Sequence, residues 1–229
     1  MRTLSVLQHA EAEYLGLMED HLEGRNIRFS YQRPFAAGGT VPKDASGYDG
    51  LILLGGGPYG VVSGQLLPSL AAELRLTRSF LDTGLPVIGI GLGAVILAVA
   101  AGGGADEAPL RFAVETAQRS TPDALAGHLP ERFPVAAYLR DRPVLPVDAQ
   151  VLATMPDSTP AIFALRGNCL GFLGHPGAKT GMIEDLIMEF AETPGGTADT
   201  MAALRAAQAE MATALGSIMV GIIEVTGLM

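Results

Sequence analysis

Residues 89 to 93 read Gly-Ile-Gly-Leu-Gly and follow directly on the apolar run Leu85-Pro86-Val87-Ile88. A strand that turns at once into a helix, with small residues flanking the central position, is the local device that lifts a nucleophilic side chain over the end of a sheet. The central residue here, Gly91, has no side chain to lift. Cys169 is the only thiol, and strand alternation points it to the face of Gly171, away from that turn. Its expected role is that of a buried, inert cysteine. Ser158 and Thr159 sit in a Pro-bounded turn with no adjacent base, and turn chemistry explains them. The four histidines, His9, His21, His128 and His175, show neither His-x-x-x-His spacing nor a cysteine pair, so no metal site is expected, and no cofactor. Gly55 to Gly60 lacks the Gly-Lys-Ser/Thr ending of a phosphate loop, and Gly102-Gly103-Gly104 reads as a helix end.

Composition narrows the partners. The chain has 229 residues, 48% hydrophobic and 17% charged, enough for one substantial core. Its formal charge of -9, with no Lys or Arg run, argues against nucleic acid and anionic membrane as main partners. A single cysteine and an N-terminal apolar stretch too short for a signal peptide lead to the expectation of a cytoplasmic protein. Leu85 to Ala105 is uncharged for 21 residues, long enough to span a bilayer. Six glycines and Pro86 within it favour a buried strand, a tight turn and a buried helix instead.

The elements that must position Gly91 follow from periodicity. Strands are expected at Thr3 to Gln8, Ile27 to Gln32 and Tyr48 to Leu54, with helices through Glu11 to Gly24 and Pro68 to Thr83. Their alternation predicts an α/β fold whose parallel sheet is wrapped on both faces, with functional groups on loops at the carboxyl ends of strands. Gly55 to Gly60, Gly91 and His9 would share that edge. Pro160 to Leu165 and Cys169 to Gly174 flank the turn Arg166-Gly167-Asn168, which predicts an antiparallel section and hence a mixed sheet. Helices resume at Met182 to Ala191 and from Ala198 onward. In the last one Met201, Leu204, Met211, Leu215, Met219, Ile222 and Met229 fall near one stripe, which suits packing on the chain's own sheet or on a second protomer equally.

The chain resembles the class I glutamine amidotransferases, particularly the glutaminase domain of GMP synthase and its stand-alone relatives. The likeness rests on ordered blocks: Val6 to His9, Tyr48 to Leu51 leading into Gly56-Gly57-Pro58, Pro86 to Gly93, Val151 to Thr154 leading into Ala161 to Phe163, and Gly171 to Pro176. It implies a flavodoxin-like, mainly parallel sheet over residues 1–190, and the helical pattern of 191–229 is expected to form a C-terminal extension beyond the matched part. It also implies a cysteine nucleophile at the elbow, a histidine base, and a glutamate two residues later that orients the imidazole. Those positions are Gly91, His175 and Gly177, so two of the three side chains are missing. Ala94 and Val95 stand where the family often has His-Gln. What can survive is a pocket of Gly56, Gly57, Pro58, Leu92 and His175, because backbone N–H groups near Gly57 and Leu92 need no side chain to stabilise an oxyanion.

Two functions compete on this reading. One is a catalytically inactive amidotransferase-like protein, a structural or regulatory subunit that docks on a synthase or other enzyme, or that self-associates through its C-terminal helix. The other is a divergent hydrolase or transferase that uses the same pocket for a non-glutamine substrate.

Overall fold

The computed structural model describes Met1 to Met229. The chain opens with β1 (Thr3–Leu7), α1 (Met18–Glu23), β2 (Arg28–Gln32) and β3 (Gly50–Leu53). The short β4 (Tyr59–Gly60) and β5 (Gln65–Leu66) lead to α2 (Leu70–Asp82), β6 (Val87–Ile90) and α3 (Leu92–Ala100). Then come β7 (Gly104–Asp106), β8 (Arg111–Arg119), β9 (Arg132–Leu139), β10 (Arg142–Val144), β11 (Gln150–Thr154), β12 (Pro160–Leu165) and β13 (Cys169–Phe172). Helices α4 (Thr180–Glu189) and α5 (Thr197–Thr226) finish the chain.

Nine strands form one sheet in the order β2-β1-β3-β6-β13-β12-β11-β8-β9. The first five run parallel, and from β12 onward neighbours are antiparallel. The expected mixed α/β sheet is therefore present. β3, β6 and β13 are buried along their whole length, as strands covered on both faces must be, and their sequences are accordingly near-continuous apolar runs. The uncharged stretch from Leu85 to Ala105 is β6, the turn at Gly91, α3 and the start of β7.

Two expectations change, and one element is new. Glu11 to Leu17 is not helical: α1 begins only at Met18, and the segment before it is a strap of turns. The cause is local and tertiary together, since Gly16 takes φ +62° and Glu13 turns inward to a backbone amide on another loop. The long hairpin of β8 and β9 goes beyond the sequence reading, where its half-exposed alternation gave no strong signal. Met229 does not share the α5 stripe and is 84% exposed.

α5 is long and apolar enough to cross a membrane by length and composition. Here it lies on β8 and β9 and touches α1 and α4. Leu215, Ile218, Met219, Ile222 and Ile223 belong to the central core, which gives the stripe its partner within the same chain. Gly221 permits this approach: a Cβ there would lie 2.6 Å from the Leu125 carbonyl oxygen. Met219 is fully buried, so Met219→Ala is expected to cost about 2–5 kcal/mol in urea unfolding. A loss under about 1 kcal/mol would show that α5 is not part of the core.

Candidate functional site

The turn after β6 is tight because three backbone segments converge there. A Cβ at Gly89 would overlap the Gly93 carbonyl, and one at Gly93 would overlap the Leu53 carbonyl, so both positions are held to glycine by close approach. Gly91 differs. Its amide donates to the Phe172 carbonyl at 2.8 Å, and it adopts φ +55° and ψ -118°, a conformation that L side chains rarely take. A Cβ there would fit at ordinary contact distance, 3.5 Å from the Gly55 Cα and 3.9 Å from the Tyr138 carbonyl oxygen. The turn's geometry and room for a Cβ are thus both present without the side chain.

His175 follows β13 and borders a small cavity of about 20 Å³ with Pro134, Phe172 and Ile218. Its amide donates to the Ala136 carbonyl, its Nε2–H donates to the Tyr14 carbonyl at 2.8 Å, and its Nδ1 accepts from the Gly177 amide at 3.0 Å. Both ring nitrogens are committed to backbone, which fixes the tautomer. Burial pushes its pKa down to about 4, against the smaller opposing effect of the Tyr14 bond. Gly177 has no space for an orienting acid: a Cβ would lie 2.8 Å from Met18 Cγ, 2.9 Å from the Leu15 oxygen and 2.9 Å from the Met18 nitrogen. The strap occupies that place.

The strap also fills the other half of the site. The Gly57 amide, the expected oxyanion donor, donates at 2.7 Å to Oε2 of Glu13, a residue absent from the sequence-derived site. Gly57 is further covered by Leu186 and Phe190 at the end of α4, and Gly56 packs under the Leu92 side chain and His9. Pro58 contributes its carbonyl, which accepts from Arg140 Nε at 3.0 Å. Because Glu13 contacts Gly57 while the next residue, Tyr14, contacts His175, the strap stands between the two halves of the expected pocket. The structure brings Gly56, Gly57, Leu92 and Gly91 together around Gly55, and it ties His175 to the strap at Tyr14.

Charge is concentrated beneath this edge. His9 donates from Nδ1 to the Gly55 carbonyl at 2.8 Å and from Nε2 to Glu73 at 2.7 Å, with both side chains fully buried. Burial opposes ionisation of each, but mutual attraction and the shared hydrogen bond prevail: His9 is held above the ordinary imidazole range and Glu73 below the ordinary carboxylate range. Ser69 donates to the other oxygen of Glu73. Glu13 goes the opposite way, pushed up to about 7 by burial despite the Gly57 bond and the nearby His9 charge. Farther along, Asp141 accepts from the Val61, Val62 and Ser63 amides and binds the Ser63 hydroxyl, so the loop after Pro58 is bolted at both ends. Cys169 stays at the opposite end of β13, paired beside Leu165 rather than near Gly91.

By fold the chain falls with the glutamine amidotransferases. It is similar to a glutamine amidotransferase from Thermotoga maritima, at 21% identity and a TM-score of 0.83, with 98% of each chain covered. It is likewise similar to a glutamine amido transferase from Methylobacillus flagellatus, at 20% identity and a TM-score of 0.83, covering 99% of this chain and 96% of that one. A putative GMP synthase subunit from Thermoplasma acidophilum matches at 19% identity and a TM-score of 0.62, over 92% of this chain and 98% of that one. No family model and no curated protein matches the chain by sequence.

Glu13 and His175 have opposite effects on stability against pH. Glu13, raised from 4.5 to about 7, holds its proton in the folded state, so stability falls by about 3 kcal/mol as pH rises through that window. His175, lowered from 6.5 to about 4, makes stability rise by about 3 kcal/mol between those values. Glu13→Gln removes the first effect alone. Its stability relative to the unaltered protein is expected to grow by about 3 kcal/mol from pH 4.5 to 7 and then level off, as read by urea unfolding across pH. A pH-independent difference would show that Glu13 titrates normally.

Proposed function

We propose that this protein is a catalytically silent member of the amidotransferase fold that serves as a structural or regulatory subunit. The observation that carries the reading is the strap: it places Glu13 on the Gly57 amide and the Tyr14 carbonyl on His175 Nε2, whose Nδ1 is taken by the Gly177 amide, at an elbow whose central residue is Gly91. Acyl transfer needs a nucleophile, a base free to accept its proton, and donors aimed at the developing oxyanion. Each of the three is absent or already engaged. In the triad template, loss of the nucleophile leaves only a residual acceleration with no acyl intermediate.

A protein partner follows as the natural setting for such a scaffold, and the neighbour described as a GMP synthase subunit supports it. On this reading residues 1–190 supply the amidotransferase-like body and 191–229 the helical extension. The competing reading, an enzyme acting on a non-glutamine substrate, has one observation in its favour: a buried carboxyl, Glu13, with a pKa near 7 beside the elbow.

The silent reading predicts no release of glutamate from glutamine above a buffer control. Gly91→Cys has room for its side chain and is expected to fold at a cost of about 1–3 kcal/mol for the positive φ, and to stay silent because His175 remains engaged. Gly177→Glu meets the strap backbone and is expected to lose more stability than Gly91→Cys. Glutamate release that disappears in His175→Ala would sink the proposal, and turnover of a non-glutamine amide or ester that disappears in Glu13→Gln would favour the competing one.

A further inference from the structure

The loops that follow β1, β2 and β3 meet the start of α2 around a cavity of about 260 Å³, on a part of the edge that the silent-subunit reading does not use. In a sheet of this order, the crevice beyond the carboxyl ends of β1 and β3 is where doubly wound folds hold ligands. His9 borders the cavity from the end of β1, Phe35 from the loop after β2, and Tyr59 from the loop after β3. Phe35 is 40% exposed there, although a phenylalanine ring is ordinarily covered.

The lining selects the chemistry of an occupant. Both N–H groups of His9 are spent, on the Gly55 carbonyl and on Glu73, and the Ser69 hydroxyl donates to the other oxygen of Glu73 at 2.5 Å. Ser69 Oγ caps no backbone amide of α2, so it keeps lone-pair capacity with no proton left to offer. A ligand must bring the donor. The only charged residue on the wall, His9, is neutralised by Glu73, and an ionic ligand finds no free counter-ion there. Pro34 and Pro68 have no N–H, and with Phe35 and Tyr59 they give the wall four ring surfaces, which pack best on a flat apolar body. At the ~30 Å³ that a water occupies in the liquid, the cavity holds about nine waters, the size of one ring or two fused rings.

We propose that this cavity binds a small, neutral, planar ring compound, packed against Phe35 and Tyr59, whose N–H or O–H group donates to Ser69 Oγ. Ser69 bonds to Glu73, Glu73 to His9, and His9 to the Gly55 carbonyl, so an occupant of the cavity joins a chain of hydrogen bonds that ends beside the elbow. The site goes beyond the silent-subunit reading and does not rest on it. A failure to bind such a ring leaves that reading untouched, and glutaminase activity leaves this site untouched.

The chain contains no tryptophan, so added indole reports its own binding by fluorescence. The test titrates the whole chain with indole, locates it by the amide resonances of Phe35, Tyr59 and Leu67, and measures benzofuran by displacement. Benzofuran has the same shape with an oxygen in place of the N–H. The expected result is saturable indole binding that shifts those three resonances, with benzofuran about fivefold weaker for want of one hydrogen bond. Ser69→Ala is expected to bring the two ligands within about twofold of each other, a loss of discrimination that general damage would not produce. Phe35→Ala is expected to weaken both at least fivefold, and because Phe35 is 40% exposed the variant keeps the fold, as a thermal melt would verify. Should Ser69→Ala not fold, the benzofuran comparison and Phe35→Ala decide the matter. No saturable binding, equal affinity for benzofuran, undiminished binding in Phe35→Ala, a preference for indole that survives Ser69→Ala, or shifts confined to Val220 and Gly227 at the end of α5 would each overturn the proposal.

Discussion

The buried ion pair of His9 and Glu73 is the contact on which the functional edge depends. Two charges with no exposed surface must satisfy each other, and leaving either one alone would cost several kcal/mol. The pair therefore fixes α2 against the end of β1, and the second N–H of His9 fixes the Gly55 carbonyl at the end of β3. This is the point in the sheet where the strand order reverses, with β2 on one side of β1 and β3 on the other. Doubly wound folds open a crevice there. In this chain the crevice is crossed by a salt bridge, and the strap that begins at His9 is carried from it over the neighbouring loop.

The strap converts a familiar scaffold into a closed one. An amidotransferase-type edge places an elbow, a glycine-rich loop and a histidine near one another, and all three keep their places in the sheet here. What separates them is nine residues of irregular chain from His9 to Leu17, held by Glu13 on the Gly57 amide, by Tyr14 on His175 and by the Leu17 amide on the Gly177 carbonyl. Gly177 is part of that arrangement. A Cβ at that position would meet Met18 and the Leu15 carbonyl, so the close passage of the strap requires glycine there.

Much of the fold was legible because burial imposes periodicity. The apolar runs of β3 and β6, the glycine turn, and the amphipathic α2 are each dictated by local pattern, and each lies where the pattern puts it. The same logic failed at Glu11 to Leu17, whose composition suits a helix. There a single tertiary hydrogen bond accepted by the buried Glu13 carboxyl, together with Gly16 at positive φ, outweighed propensity. The β8–β9 hairpin was illegible for another reason: its residues alternate only weakly, because α5 covers one face and solvent reaches part of the other.

Of the site itself, the sequence determined what is missing. Gly91 at the centre of a strand-to-helix turn, and Gly177 two residues beyond His175, are facts of residue type that no packing can alter. Only the tertiary structure decided what replaces them. Glu13 and Gly57 are 44 residues apart, and Tyr14 and His175 are 161 apart. Neither pairing leaves a mark in local periodicity, since each is set by where the sheet brings two loops together. The sequence thus marked an elbow with no side chain at its centre, and the fold placed a buried carboxyl, Glu13, on the glycine loop beside it.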